Sequence, residues 1–390
     1  MKIAMIGCPF RTTYGYYIES LKQNLESSDS QVSWIASNCG SGDPIEIARD
    51  FQTKDLVYFE VPNDIGPFNL LGYPAHQPQR ALKTPFRSAS FDFRLARYAK
   101  LTTDSDVVHL QQTLAAYGSN SAFRLLKKGL GAARVITVHE LDPEQTASPE
   151  LNHSYNLSDA VIVHDVLMKE KLVSQGVLAD LVHVVCWGTD LADFDEPVAR
   201  KGIVFYGGHT LNKGKGLDVL LHAYKMLKEN AKVSTPPLRI HGHFGAPTSE
   251  FLTLASQLGL EGDVEWLGDL SNEKIVALYR QSQVCVLPYT GSFAGLPAGF
   301  AAANRLPVIA TQLAGIPGHI GELGIWINGR DPEELAARLQ QVLSDEPMRA
   351  DLGVRLRTHA LQNLSWKTIA DNTSDIYRLA SERASLRHAC

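Results

Sequence analysis

The chain has 390 residues, a length that suits two domains at roughly 100–200 residues each and gives both a sizeable core. Apolar residues make up 44% and charged residues 20%, with 30 Gly and 19 Pro, which excludes disordered and collagen-like chains. Lys and Arg total 37 against 42 Asp and Glu, so a net charge of −5 provides no global pull toward nucleic acid, and no nucleic-acid partner is expected.

Cys8, Cys39, Cys186, Cys285 and Cys390 are scattered without CxxC or metal spacing. That pattern suits reduced thiols in a cytosol better than a disulfide or zinc frame. The apolar start is too short and wrongly flanked for a signal peptide, and nothing further on reaches about 18 apolar residues. The expected location is cytoplasmic.

In chain order, short β-branched runs predict strands over 2–6, 32–36, 106–110, 135–138 and 160–163. A helix from about Gly15 to Leu25 follows the first, and a further strand falls near 184–186. The polar stretch 191–201, with Asp193, Asp195, Glu196 and Pro197, reads as a linker. Beyond it the alternation restarts with a strand at 202–206, a glycine-rich loop and a helix at 217–230. Strands at 238–241, 264–267, 284–287, 307–310 and 324–327 come next, then helical periodicity over 331–343 and from Ser365 to about Leu379. Strands alternating with helices define an α/β chain with two doubly wound, Rossmann-like domains facing across a cleft. The expected division is 1–190, a linker at 191–200, 201–364, and a final helix in 365–390.

Open parallel sheets hold ligands at the carboxyl ends of their strands, near helix N-termini. The loop after the first strand, Gly7 to Gly15, lacks G-x-G-x-x-G and so gives little support to a nicotinamide or flavin. A plain strand-to-helix turn accounts for it equally well. Histidines end or follow several strands: His109, His139 with Glu140, His164, and His241 with His243. A histidine beside an acid at a strand end can polarise a hydroxyl or hold a sugar oxygen. His139 is the candidate for chemistry, with His109 and Glu140 toward an acceptor; packing histidines are the ordinary alternative. His241 and His243 lack an acid or cysteine partner at supporting spacing, so no metal is expected.

The loop Gly207 to Gly216 is the strongest local signal. Glycines let amides approach a ligand, while Lys213 and Lys215 add charge at a helix N-terminus, a phosphate cradle by composition. It is not a Walker loop, and an ordinary Lys/Gly turn remains the alternative. After the strand at 284–287, Thr290, Ser292, Phe293, Ala294, Gly295 and Leu296 lead into a run of small residues, where amides and hydroxyls could meet a phosphate or sugar.

These residues together resemble the family-four retaining glycosyltransferases, which have the two-domain glycosyltransferase B fold. The similarity is carried by Trp187-Gly188-Thr189-Asp190, Lys215-Gly216-Leu217-Asp218, Val264-Glu265-Trp266-Leu267-Gly268, Pro307-Val308-Ile309-Ala310-Thr311, Gly315-Ile316-Pro317, Asp331-Pro332-Glu333-Glu334-Leu335 and Ser365-Trp366, in that order. The resemblance implies a C-terminal domain that binds a nucleoside-diphosphate sugar and an N-terminal domain that binds a glycan, lipid-linked or small-molecule hydroxyl acceptor. It also implies transfer with retention and no obligatory metal or other cofactor, and a last helix that crosses back to the first domain. Gly15 and Gly208 would approach the donor phosphates, His139 would lie near the transferred sugar, and Lys215 would hold the diphosphate.

Two departures stand out. Gly208-His209 replaces the family's Gly-Arg, leaving Lys213 or His209 to substitute, and the family's paired glutamates fall at Ser292 and Phe300. Phe300 cannot accept from a ribose diol, and a site built for a hydroxyl loses affinity when its partner vanishes. An unusual donor, a transferase-like binding protein, or a phosphorylase or epimerase on the same fold therefore stay open.

Between Arg80 and Lys100, the basic residues Arg80, Lys83, Arg87, Arg94, Arg97 and Lys100 interleave with Phe86, Phe91, Phe93 and Tyr98, against the single acid Asp92. The mixture suits peripheral contact with an anionic inner-membrane face, or an ordinary solvated helix face over core aromatics.

Overall fold

The structure is a computed structural model that describes residues 1–7, 13–37, 56–59, 104–112, 131–139, 141, 149–191, 200–208, 211–230, 235–243, 248–291, 295–313 and 315–389. Two parallel sheets organise it. The first contains β1 (Lys2–Gly7), β2 (Gln31–Ser37), β3 (Leu56–Phe59), β4 (Val107–Gln112), β5 (Ala133–Val138), β6 (Ala160–Val163) and β7 (Val182–Val184), in the order β3-β2-β1-β4-β5-β6-β7. The second contains β8 (Ile203–Tyr206), β9 (Leu238–His241), β10 (Val264–Gly268), β11 (Val284–Leu287), β12 (Val308–Thr311) and β13 (Ile325–Ile327), in the order β10-β9-β8-β11-β12-β13. Each order reverses beside its own first strand, which places a crevice beyond the carboxyl ends of β1 and β4 and of β8 and β11.

The central strands β5, β6, β11 and β12 are buried along their whole length. This is why their β-branched runs are continuous rather than alternating. In the first lobe the described helices are α1 (Thr13–Glu26), α2 (Pro149–Asn156) and α3 (Val166–Ser174). The second lobe has α4 (Leu217–Glu229), α5 (Thr248–Gln257), α6 (Asn272–Gln281), α7 (Leu296–Ala303), the short α8 (Pro317–Ile320), α9 (Pro332–Ser344) and α10 (Glu346–Asn363). Local chemistry sets several of their starts: Asp165, Ser271, Asp331 and Asp345 each accept an amide of the first turn.

The last helix, α11 (Trp366–Ala389), runs well past the expected end near Leu379. Its Ile369, Ala370, Tyr377, Ala380 and Ala384 share one buried cluster with Ile3, Met5, Tyr17, Ile18 and Val135 of the first lobe. Arg387 holds Asp159 at 2.8 Å, which also accepts the Arg134 amide at 2.8 Å. Where the chain changes lobes, a Cβ on Gly188 would lie 2.5 Å from the Trp366 ring, so only glycine lets the outgoing and returning strands of chain touch. The Thr189 amide then donates to the Leu364 carbonyl at 2.8 Å. Strand β3, with helices α2, α3, α5, α6, α8 and α10, is not among the elements expected from the sequence.

Candidate active site

In the first lobe, α1 begins just beyond β1, with Gly15 buried in its first turn. Beside it the carboxyl ends of β4, β5 and β6 bring Gln111, His139 and His164 together. His139 Nδ1 lies 2.9 Å from His164 Nε2, His139 Nε2 lies 2.8 Å from Gln111 Oε1, and His164 Nδ1–H donates to the Val185 carbonyl at 3.0 Å. Tyr17 packs edge-on and Trp187 at a tilt around the pair, with ring centroids 4.8 Å and 5.0 Å from His139. Burial, followed by the neighbouring histidines, pushes His139 well below the ordinary imidazole range, and burial pushes His164 down to about 4. A ligand would reach a ring nitrogen of His139 only by displacing Gln111 or His164.

His109 departs from the expected acceptor role. Strand alternation turns it onto α11, where Nδ1 meets Tyr377 Oη at 2.6 Å and Nε2 meets Thr137 Oγ1 at 2.7 Å. It has no exposed surface, and burial pushes it down to about 3. It is an anchor for the last helix, with no nitrogen left for a sugar.

In the second lobe, Gly208 follows β8 at φ +77° and accepts the His243 amide at 2.8 Å. A tight turn over Lys213–Lys215 leads into Gly216, at φ +66°, which starts α4 without a side-chain cap. A Cβ there would lie 2.0 Å from the Pro288 carbonyl oxygen, so glycine is imposed by both conformation and space. The Thr290 and Gly291 amides donate to the Gly214 carbonyl at 2.8 Å and 3.2 Å, tying this turn to the loop after β11.

Lys215 is 6% exposed, and its Nζ lies 4.2 Å from the Tyr289 ring centroid and 6.0 Å from that of Tyr206. The two aromatic faces hold an ammonium at the start of a helix, where the macrodipole adds to it. Lys213, by contrast, points outward: its side chain is 82% exposed and faces Glu250 at 3.7 Å. The structure thus brings one of the two expected lysines to the crevice and leaves the other on the surface.

Helix α7 carries two of the residues expected at the donor. Phe300 is half-buried and packs on the second-lobe core, its ring centroid 6.3 Å from Tyr279. Leu296 packs instead against the first-lobe core. Gly295 owes its identity to close packing, since a Cβ there would lie 1.8 Å from the Gly315 carbonyl oxygen.

Glu140, His209, Ser292, Phe293 and Ala294, and the basic segment between Arg80 and Lys100, lie outside the described residues. His241 turns inward to Tyr279 Oη at 3.3 Å while His243 turns outward to Asp269 at 2.7 Å, so the two do not converge. Among the described residues no group of three or more His, Cys, Asp or Glu is arranged to hold a metal, and no helix is long and apolar enough to cross a membrane. The aromatic box of Tyr17 and Trp187 and the bracing rings of Tyr289 and Tyr206 were not expected from the sequence. Tyr289 could have been found from its place just after a buried strand, in Leu287-Pro288-Tyr289.

Residues 15–193 match the family described as Glycosyltransferase Family 4, and residues 191–359 match the family described as Glycosyl transferases group 1. With two Rossmann-like lobes in the glycosyltransferase B arrangement, the chain belongs to the family-four glycosyltransferases. Among curated relatives it is similar to the D-inositol 3-phosphate glycosyltransferase of Corynebacterium diphtheriae, 32% identical over 187 residues, covering 46% of this chain and 43% of the relative. The protein of the same name from Rhodococcus opacus is 28% identical over 280 residues, covering 66% and 62%. The chain spans about half the length of the first of these curated relatives.

Among solved structures it is similar in fold to a glycosyltransferase from Rickettsia africae, with a TM-score of 0.75, 17% identity, and coverage of 97% and 98%. It is also similar to Anabaena HepE in complex with UDP, with a TM-score of 0.70, 15% identity, and coverage of 96% and 99%.

Proposed function

We propose that this chain transfers a sugar from a nucleoside-diphosphate donor to a hydroxyl acceptor, with retention of anomeric configuration. The observation that carries the reading is the Lys215 ammonium, buried between Tyr289 and Tyr206 at the uncapped start of α4. A diphosphate leaving group gains charge as the sugar–oxygen bond breaks, and a pre-placed cation with helix amides stabilises that charge at no cost of reorganisation. Gly208 and the first turn of α1 at Gly15 give main-chain approach from either side of the crevice, and His139 lies on the acceptor side. In this reading Lys215 and the amides, rather than a metal, offset part of the donor charge.

The curated relatives are named for glycosyl transfer to an inositol phosphate and one fold neighbour holds UDP, which supports a nucleotide-sugar donor and a hydroxyl acceptor. The acceptor is a glycan, a lipid-linked sugar or a small metabolite, reached from the cytoplasmic side, with the basic aromatic segment between Arg80 and Lys100 as a point of peripheral membrane contact. One observation favours a second reading. The half-buried Phe300 stands where a ribose-binding carboxylate would be expected and can accept nothing from a ribose, as in a binding protein that has lost transfer. Thermal stabilisation across a panel of nucleoside diphosphates and nucleotide sugars, followed by donor turnover, separates the two. A selective shift that K215A abolishes, together with turnover, supports transfer, whereas a shift without turnover supports binding alone.

A further inference from the structure

Asp165 follows β6 and serves two lobes at once. Its Oδ1 accepts the Met168 amide at 2.8 Å and caps α3, while its Oδ2 accepts the amide of Gly315 in the second lobe. The residue is 2% exposed, so solvent does not compete for the second oxygen. Gly315 is gripped from its other side as well: its carbonyl accepts His319 Nδ1–H at 2.6 Å, with His319 itself 1% exposed.

Two neighbours close the same joint. A Cβ on Gly318 would lie 2.7 Å from the His164 carbonyl oxygen, and the Cys186 thiol donates to the Gly318 carbonyl at 3.1 Å. The Gly315 carbonyl in turn faces Gly295 at the head of α7, and Leu296 of that helix packs on the first-lobe core. On the first-lobe side, the residue before Asp165 is His164, bonded to His139. The joint therefore connects the strand-end histidines of one lobe to the head of α7 in the other, with one Asp165 oxygen as its carboxylate link.

We propose that Asp165 is a positioning residue that fixes the closed arrangement of the two lobes for transfer, through its bond to the Gly315 amide. This rests on the transferase function proposed above. The two oxygens have separate duties, so the link to Gly315 can be removed while the cap of α3 is kept. In D165N the amide oxygen still caps α3, since asparagine is as good a cap as aspartate, but the side chain then presents an NH2 group to the Gly315 N–H, donor against donor.

The test compares wild type and D165N by small-angle scattering and by steady-state transfer, with thermal melting as the check on folding. The expected result is a near-native melt, a larger radius of gyration, and a kcat lowered about tenfold or more with donor KM changed less than about twofold, as for loss of a bond to a charged group felt only when the lobes are closed. A wild-type radius of gyration in D165N overturns the joint. A widened particle with unchanged kcat overturns the positioning role. If the wild type transfers no sugar from any nucleotide donor, the function fails while scattering still decides the joint. A D165A variant, which loses the cap as well, is expected to melt below D165N.

Discussion

His139 Nδ1 and His164 Nε2 lie 2.9 Å apart in a chain whose two ends are the Gln111 side chain and the Val185 carbonyl. Each link in such a chain needs one proton. With the Gln111 oxygen facing His139, three links need three protons on two rings, and the pair is a cation. With the amide nitrogen facing it, two ring protons suffice. Burial, which pushes both imidazoles below their ordinary range, selects the neutral pair at pH 7. Glutamate at position 111 can only accept when ionised, so Q111E is expected to draw the third proton in. Nitrogen-15 NMR of the histidine rings should report a charged pair in Q111E and a neutral one in the wild type at pH 7; a neutral pair in both contradicts the argument.

The same burial makes stability depend on pH. His109 is pushed down to about 3, and His164, His241 and His319 to about 4, from the ordinary value of 6.5. Their folded-state pKa values lie below the unfolded ones, so the unfolded chain binds more protons on acidification. Their contribution is therefore fully present above pH 6.5 and is lost as pH falls from there toward 4, at up to about 1.4 kcal/mol per pH unit for each ring. Denaturant midpoints at pH 7, 6 and 5 should fall in that order, and H241Q should flatten the trend.

Lys215 and Lys213 offer a paired test of the donor site. K215A should weaken nucleoside-diphosphate binding about 10- to 100-fold, the loss of a charge-assisted contact in a dry setting. K213A removes only an exposed partner of Glu250 and should stay within about twofold. Calorimetric titration of both variants with the same nucleotide checks the contrast, and equal losses would contradict the assignment.

Asp159 ties α11 to the first lobe. Its carboxylate, 7% exposed, takes Arg387 and the Arg134 amide, so D159A leaves a half-buried guanidinium and an amide without their acceptor. The expected cost is about 1–3 kcal/mol, discounted for the 29% exposure of Arg387. The urea midpoint should fall, with R387A falling less.

Much of the fold was legible because buried parallel strands are continuous apolar runs: Ala160–Val163 and Val284–Leu287 fall where the pattern puts them. β3 was not, since Leu56–Phe59 carries a single β-branched residue, Val57, where Ala160–Val163 carries three. Helix α10 has little one-sided pattern; it is covered by α7 on one side and carries exposed Val354 and Leu361 on another, so its periodicity is blurred. At the site, composition pointed to two lysines but could not separate them, because which one turns inward depends on Tyr289, far away in sequence. The strand-end position of His109 looked functional. That its face belonged to α11 depends on a contact with Tyr377, 268 residues later. Asp165 was visible as the acid after His164, but nothing local names Gly315 as its partner.

The first sheet begins at Lys2, yet the layer that α1 starts over one of its faces is completed only by α11, whose Ile369, Ala370 and Tyr377 are fully buried against it. On the ribosome, where synthesis runs from N- to C-terminus, the second lobe has its parts before α11 is made, while the first lobe waits with part of an apolar face open until α11 arrives. Order of synthesis and order of completion are thus opposite. The interval between them is when this chain is most exposed to misassociation, and a stall or nick before Trp366 leaves a finished second lobe attached to an unfinished first one.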